Sequence, residues 1–129
     1  MKTSHVIGLS MLAGIAVGAV AIQGLHAQAK PPVYFVADIS EVTNPEAWKA
    51  VTGRPMPALD AIMKDFGGRY LARTDKITAL DGAASKRYIL IAFDSVEKAK
   101  GWYNSPEQKK VNENRIKNTK SNSFIVEGM

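Results

Sequence analysis

The chain has 129 residues with 17 basic and 12 acidic side chains, a net charge of +5, two histidines and no cysteine. Both histidines, His5 and His26, fall within the first 29 residues, so Lys30 to Met129 holds neither histidine nor cysteine. That stretch is thereby denied a thiolate nucleophile, a Ser-His-Asp triad, a zinc site of the usual kind, a histidine-ligated haem and any disulfide.

The N-terminal segment is built like a secretory signal. Lys2 supplies a positive start, Val6 to Ile22 is a charge-free apolar run, and Ala27-Gln28-Ala29 is the small-x-small pattern a signal peptidase accepts. Cleavage after Ala29 is expected, giving a periplasmic or secreted protein without stable membrane association. The alternative is an uncleaved anchor over Val6 to Leu25, since about 20 apolar residues span a bilayer. Gly8, Gly14 and Gly18 dilute the run, and the absence of cysteine excludes a lipoprotein anchor. Lys30 to Met129 suffices for one domain with one core. Without Lys2, 16 basic residues face 12 acidic ones, a net +4. That balance suits attraction to small anions, while no basic run interleaved with aromatics points to nucleic acid.

Pro31-Pro32 forms a stiff lead-in to Val33 to Ile39, which is β-branched and aromatic enough for a strand. Thr43-Asn44-Pro45-Glu46 announces a helix twice over, by a capping box from Thr43 to Glu46 and by Asn44 as N-cap before proline at the first position. Trp48 and Val51 mark its buried side. Thr52 to Pro57, with a glycine and two prolines, interrupts the helix before Ala58 to Phe66 resumes it with Leu59, Ile62, Met63 and Phe66 at helical spacing. Gly67-Gly68 ends it. Arg69 to Arg73 is a second strand, expected to continue through Ile77 to Leu80 after a turn at Thr74-Asp75, and Asp81 to Lys86 is a loop. Arg87 to Phe93 is the strongest strand. Asp94 to Glu97 caps a helix carrying Ala99, Trp102 and Tyr103, and Ser105-Pro106-Glu107-Gln108 restarts it as a capping box, to about Asn118. Asn122 to Glu127 is the last strand. Between Pro106 and Asn118 only Val111 and Ile116 are apolar, which gives no stripe, so that helix is expected to be loosely held and mostly solvated.

The order β-α-β-β-α-β predicts an α+β fold of the ferredoxin-like kind, a four-stranded antiparallel sheet with the helices on one face. Arg87 to Phe93 sets Tyr88, Leu90 and Ala92 against Ile89, Ile91 and Phe93, and the first strand likewise places apolar residues on both sides. A sheet with one open face should alternate apolar and polar residues instead. Both faces therefore ask for burial, which predicts a homodimer paired sheet on sheet; the competing reading is a central strand covered by loops.

Gly67-Gly68-Arg69-Tyr70-Leu71-Ala72-Arg73, Leu80-Asp81-Gly82, Phe93-Asp94-Ser95 with Ala99, the run Trp102-Tyr103-Asn104-Ser105-Pro106-Glu107, Arg115 and Phe124 to Gly128 closely resemble the bacterial domain-of-unknown-function family 1330. The resemblance covers nearly all of Val33 to Gly128, with the Trp-Tyr-Asn-Ser-Pro-Glu run its most specific piece. It implies membership of the dimeric α/β-barrel superfamily, hence the ferredoxin-like fold and a paired-sheet dimer, and brings no activity with it. Superfamily relatives that degrade haem or isomerise lactones commonly use a histidine, which this domain lacks. Two departures stand out: Thr74-Asp75 where the family usually continues with glycines, and Gln108 where it usually has tyrosine. If that aromatic lines a pocket in relatives, the pocket here is wetter or serves another ligand.

The binding constellation is Arg73, Trp102, Tyr103 and Arg115, guanidiniums beside an aromatic pair, suited to a small anionic or aromatic ligand held without metal or cofactor. Neighbours on a helix diverge by about 100°, so at most one of Trp102 and Tyr103 heads for the core. Asp38 and Glu107 are candidate carboxylate bases, with the plainer readings of a strand-end acceptor and a helix-dipole partner. Ser105 is read as a cap. The expected function is ligand binding in a cleft between sheet and helices. The alternatives are a cofactor-independent monooxygenase or isomerase using a carboxylate or tyrosine, and a structural or stress-related envelope protein. Unpaired arginines and a carboxylate in the cleft favour the first two; arginines neutralised by protein carboxylates favour the last.

Overall fold

Val33–Val42 forms β1, the longest strand, in a computed structural model that describes residues 30–52 and 56–129. The export segment expected over residues 1–29 lies outside these residues. After β1 come α1 (Pro45–Thr52), α2 (Pro57–Asp65), β2 (Arg69–Thr74), β3 (Arg87–Phe93), α3 (Val96–Tyr103), α4 (Pro106–Asn118) and β4 (Thr119–Glu127). The strands make one sheet in the order β2-β3-β1-β4, every neighbouring pair antiparallel. This is the ferredoxin-like arrangement, with the helical connection in each half split into a pair of helices, the second of which starts at a proline. Pro31–Met129 makes one compact unit, and among the described residues no helix is long and apolar enough to cross a membrane.

Local chemistry sets the element ends. Of the two signals read before the first helix, the asparagine cap operates: Ala47 N–H donates to Asn44 Oδ1 at 3.2 Å. Thr43 N–H is taken by the Asn118 carbonyl instead. Ser95 caps α3, its hydroxyl accepting from Lys98 N–H. Ser105 occupies the N-cap position of α4 but its side chain makes no cap bond; its hydroxyl donates backward to the Trp102 carbonyl at 2.7 Å, joining the end of α3 to the start of α4. The capping box expected there is absent, and Gln108 turns inward.

Two strand limits differ from expectation. β2 ends at Thr74, whose hydroxyl accepts from Lys76 N–H in a tight turn, and Ile77 to Leu80 forms no strand. β2 is an edge strand whose neighbour β3 begins at Arg87, so a longer β2 would have nothing to pair with; Leu80 is 93% exposed. At the other edge β4 begins three residues early, because β1 continues past a bulge between Ile39 and Glu41 to pair Val42 with Thr119.

The helices cover the sheet face that carries Phe35, Ala37, Ile91 and Phe93, which with Met63, Ala99 and Trp102 make the core. The opposite face presents Tyr34, Val36, Leu90, Ala92, Phe124 and Val126 in register. Phe124 and Val126 are 49% and 44% exposed. Gly67 ends α2 at φ 72°, with Gly68 N–H bonded to the Met63 carbonyl and Gly67 N–H to that of Lys64, a Schellman closure that needs a residue tolerant of left-handed backbone. Gly68 is there for space: a Cβ would come within 2.7 Å of Phe93 Cε1 and 2.8 Å of Met63 Cγ. Gly68→Ala is expected to destabilise the domain by about 1–3 kcal/mol, the range for overpacking a filled core, readable as a fall in the urea midpoint at unchanged slope.

Candidate functional site

Three arginines from three elements converge on one cavity of about 240 Å³ between sheet and helices. Arg87 starts β3 on the face of Ile89 and Ile91, as plain alternation dictates. Arg73 reaches that face only because β2 is irregular. Tyr70 pairs with Ile91 but Ala72 with Leu90, so Leu71 is an extra residue and Arg73 falls opposite Ile89. Strict alternation would have set Tyr70 and Arg73 on opposite faces. The bulge puts both into the cavity wall, with the Arg73 guanidinium 5.2 Å from the centre of the Tyr70 ring.

The third arginine comes from α4, and here the sequence-based expectation needs correction. The helix is not loosely held. Its buried residues are Gln108, Asn112, Arg115 and Asn118, spaced by four, three and three, so a helical stripe exists and is polar. An apolar search misses it; the same search run for amides and guanidiniums finds it. The helix is anchored by hydrogen bonds from the stripe and from Asn114 beside it. Asn112 Nδ2 donates to the Tyr103 carbonyl at 2.9 Å, Asn114 Nδ2 to the Ala47 carbonyl at 3.1 Å, and the Asn118 carbonyl accepts from Thr43 and Asn44 at the head of α1.

Arg115 is 4% exposed and lines the cavity. Its Nη2 donates to the Tyr103 hydroxyl at 3.2 Å. Among the described residues the ion pairs are Lys98–Asp94 and Lys120–Glu41, both on the surface, and no carboxylate lies within salt-bridge distance of Arg73, Arg87 or Arg115. A guanidinium keeps its charge. Burying one without a counter-charge costs several kcal/mol, so this cavity is electrostatically prepared for an anion.

Trp102 and Tyr103 diverge as expected. Trp102, 2% exposed, packs edge-on to Phe35 at 5.0 Å between ring centres and against Phe93 at 5.3 Å. Its role is core packing, with one side left in the cavity wall, and its indole N–H has no partner. Tyr103 does not line this cavity. It lies beyond Phe35, in a groove with Lys100, Phe124 and Ile125, and touches the site through its hydroxyl on Arg115. The cavity thus unites Arg73, Trp102 and Arg115, with Tyr103 as a support behind.

The opposite wall belongs to Trp48, Leu59 and Asp60, which the sequence reading did not place there. The two carboxylates it named lie elsewhere. Asp38 accepts a hydrogen bond from the Ser85 hydroxyl beside the β3 entry loop, and Glu107 is exposed on the first turn of α4. Asp60 is the carboxylate in the cavity. Partial burial pushes the Tyr70 phenol above its usual range, an effect reinforced by Asp60 and opposed by Arg73 and Arg87, so at neutral pH this hydroxyl keeps its proton and can donate.

Residues 32–129 match the family described as Domain of unknown function (DUF1330). Among curated proteins none matches the chain. Among solved structures, a protein of unknown function from Rhodopseudomonas palustris is similar at 12% identity and TM-score 0.58, over 84% of this chain and 92% of its own. A protein of the ethyl tert-butyl ether d (ethd) family from Bacillus halodurans aligns at 15% identity and TM-score 0.57, over 76% and 99%. The cofactor-independent oxygenase SnoaB from Streptomyces nogalater aligns at 13% identity and TM-score 0.47, over 74% and 91%. At these identities the likeness concerns the fold.

Proposed function

We propose, from the premise that this chain belongs to the DUF1330 family, that it is an exported homodimer binding a small anionic or aromatic molecule in the cavity between sheet and helices. Arg115 carries the reading: a buried guanidinium in a cavity wall, with a phenol and no carboxylate beside it. An anion in the cavity would supply the missing charge through charge-assisted hydrogen bonds. Arg73 and Arg87 add positive potential, and Trp48 and Trp102 offer ring surface. A ligand-free envelope protein would be expected to neutralise Arg73 and Arg115 within the chain, and neither has an ion-pair partner among the described residues. Asp60 is the observation favouring a second reading, a cofactor-independent enzyme in which this carboxylate moves a proton of the bound anion.

The homodimer is proposed from the apolar residues of the sheet face opposite the helices, where Phe124 and Val126 are exposed, and export from Lys2, the charge-free run and Ala27-Gln28-Ala29. The ligand reading is tested by thermal-shift measurement of wild type and Arg73→Ala against small carboxylates and phenols. Arg73 is exposed and lies over a tyrosine ring, so Arg73→Ala should melt within about 0.5 kcal/mol of wild type while losing the stabilisation that ligands give. If Arg73→Ala melts well below wild type and no compound shifts either protein, the cavity is part of the scaffold.

A further inference from the structure

We infer that the cavity reads its ligand at two ends, an anionic group at Arg115 and a hydroxyl at Gln108, so that the class it takes is a hydroxylated carboxylic acid of single-ring size. The inference rests on the anion-binding reading above and goes beyond it by assigning the second end.

The assignment follows from the direction of an amide chain. The Tyr103 carbonyl can only accept, so the Asn112 group facing it at 2.9 Å is its Nδ2. Asn112 Oδ1 is then turned toward Gln108, which must present its own Nε2, at 3.0 Å. Gln108 Oε1 is left over. This side chain is 8% exposed and lines the cavity, and among the described residues no donor bonds that oxygen. That oxygen keeps accessible surface on the cavity side of a buried residue, so the cavity offers an acceptor that a ligand donor can reach as well as a fixed cation. Asn112, between them and engaged at both ends of its amide, acts as the spacer that orients Gln108.

The two reading groups stand seven residues apart on α4, about 10 Å along the helix axis. Between them the cavity is walled by Phe35, Trp48, Ile91 and Trp102. Its volume of about 240 Å³ lies under the roughly 300–1,000 Å³ of pockets for drug-sized ligands, which limits the body of the ligand to one ring or a short chain. The donor at the Gln108 end is a neutral hydroxyl, because an ammonium group would enter a cavity that already carries three guanidiniums against Asp60 alone.

Calorimetric titration of the protein with benzoate and 4-hydroxybenzoate tests this. Wild type should bind 4-hydroxybenzoate roughly three- to ten-fold more tightly than benzoate, the worth of one neutral hydrogen bond, and Gln108→Met should bind both with the affinity wild type has for benzoate. If Gln108→Met folds poorly, Gln108→Asn, which keeps the amide but withdraws it by one methylene, should lose the preference in the same way. Equal binding of the two acids by wild type, both lost in Arg115→Met, overturns the hydroxyl end and leaves the anion reading standing. A preference that survives in the Gln108 variants overturns the assignment to Gln108. No binding of either acid overturns both readings together.

Discussion

Ile91→Asp should abolish folding, whereas Leu90→Asp, one residue away, should leave a folded protein that no longer dimerises. Ile91 is 1% exposed within the core cluster under the helices. A carboxylate there would be desolvated without a partner, at several kcal/mol out of a total stability of about 5–15 kcal/mol. Leu90 points to the other side of the sheet, half-buried, paired with Val36 of β1 and next to Ala72 of β2. A charge at that position keeps part of its hydration in a monomer and loses the rest if a second sheet packs against it. Circular dichroism and light scattering on both variants separate the cases. A wild type that is monomeric at micromolar concentration would sink the paired-sheet dimer; a Leu90→Asp protein as unfolded as Ile91→Asp would show that this face is closed within the monomer.

Arg115→Met should melt at or above the temperature of wild type while losing affinity for small carboxylates by about 10- to 100-fold. The stability side follows from removing a buried charge that has no counter-charge, and with it a desolvation cost of several kcal/mol, and putting an unbranched apolar chain in its space. The hydroxyl of Tyr103 loses a donor, but that residue is only half-buried. The affinity side follows from a charge-assisted hydrogen bond worth about 1.5–3 kcal/mol. Arg115→Lys should fall between the two, keeping a charge and losing the planar fork. Differential scanning fluorimetry with and without benzoate reads both effects. If Arg115→Met instead melts several degrees early and benzoate shifts neither protein, the guanidinium serves the scaffold through Tyr103, and the cavity has no claim to an anion.

Much of the architecture was legible from residues. The alternation in Arg87 to Phe93, the Asn44-Pro45 start, the Gly67-Gly68 stop and the Ser95 cap each correspond to a short-range rule that tertiary context did not override. The same alternation already placed Arg87 on the face of Ile89 and Ile91. Helical divergence already required Trp102 and Tyr103 to part. What failed were inferences resting on a missing neighbour. Ile77 to Leu80 has strand composition, but an edge strand can extend no further than the strand it pairs with. The cap expected of Ser105 yielded to a bond back to the last turn of α3.

The site lies mostly on the tertiary side of that division. Sequence by itself determined what chemistry is absent from Lys30 to Met129, the element order, and that guanidiniums and aromatics are the groups available. Only the folded structure decided that Arg73 joins Tyr70, because one extra residue in β2 reverses the face of everything after it, a register effect that pairing with β3 creates. Only the folded structure showed that α4 buries a polar stripe, because a helix packs polar groups inward when its neighbours offer backbone carbonyls and N–H groups to satisfy them, and those partners, Tyr103, Ala47, Thr43 and Asn44, come from other segments of the chain.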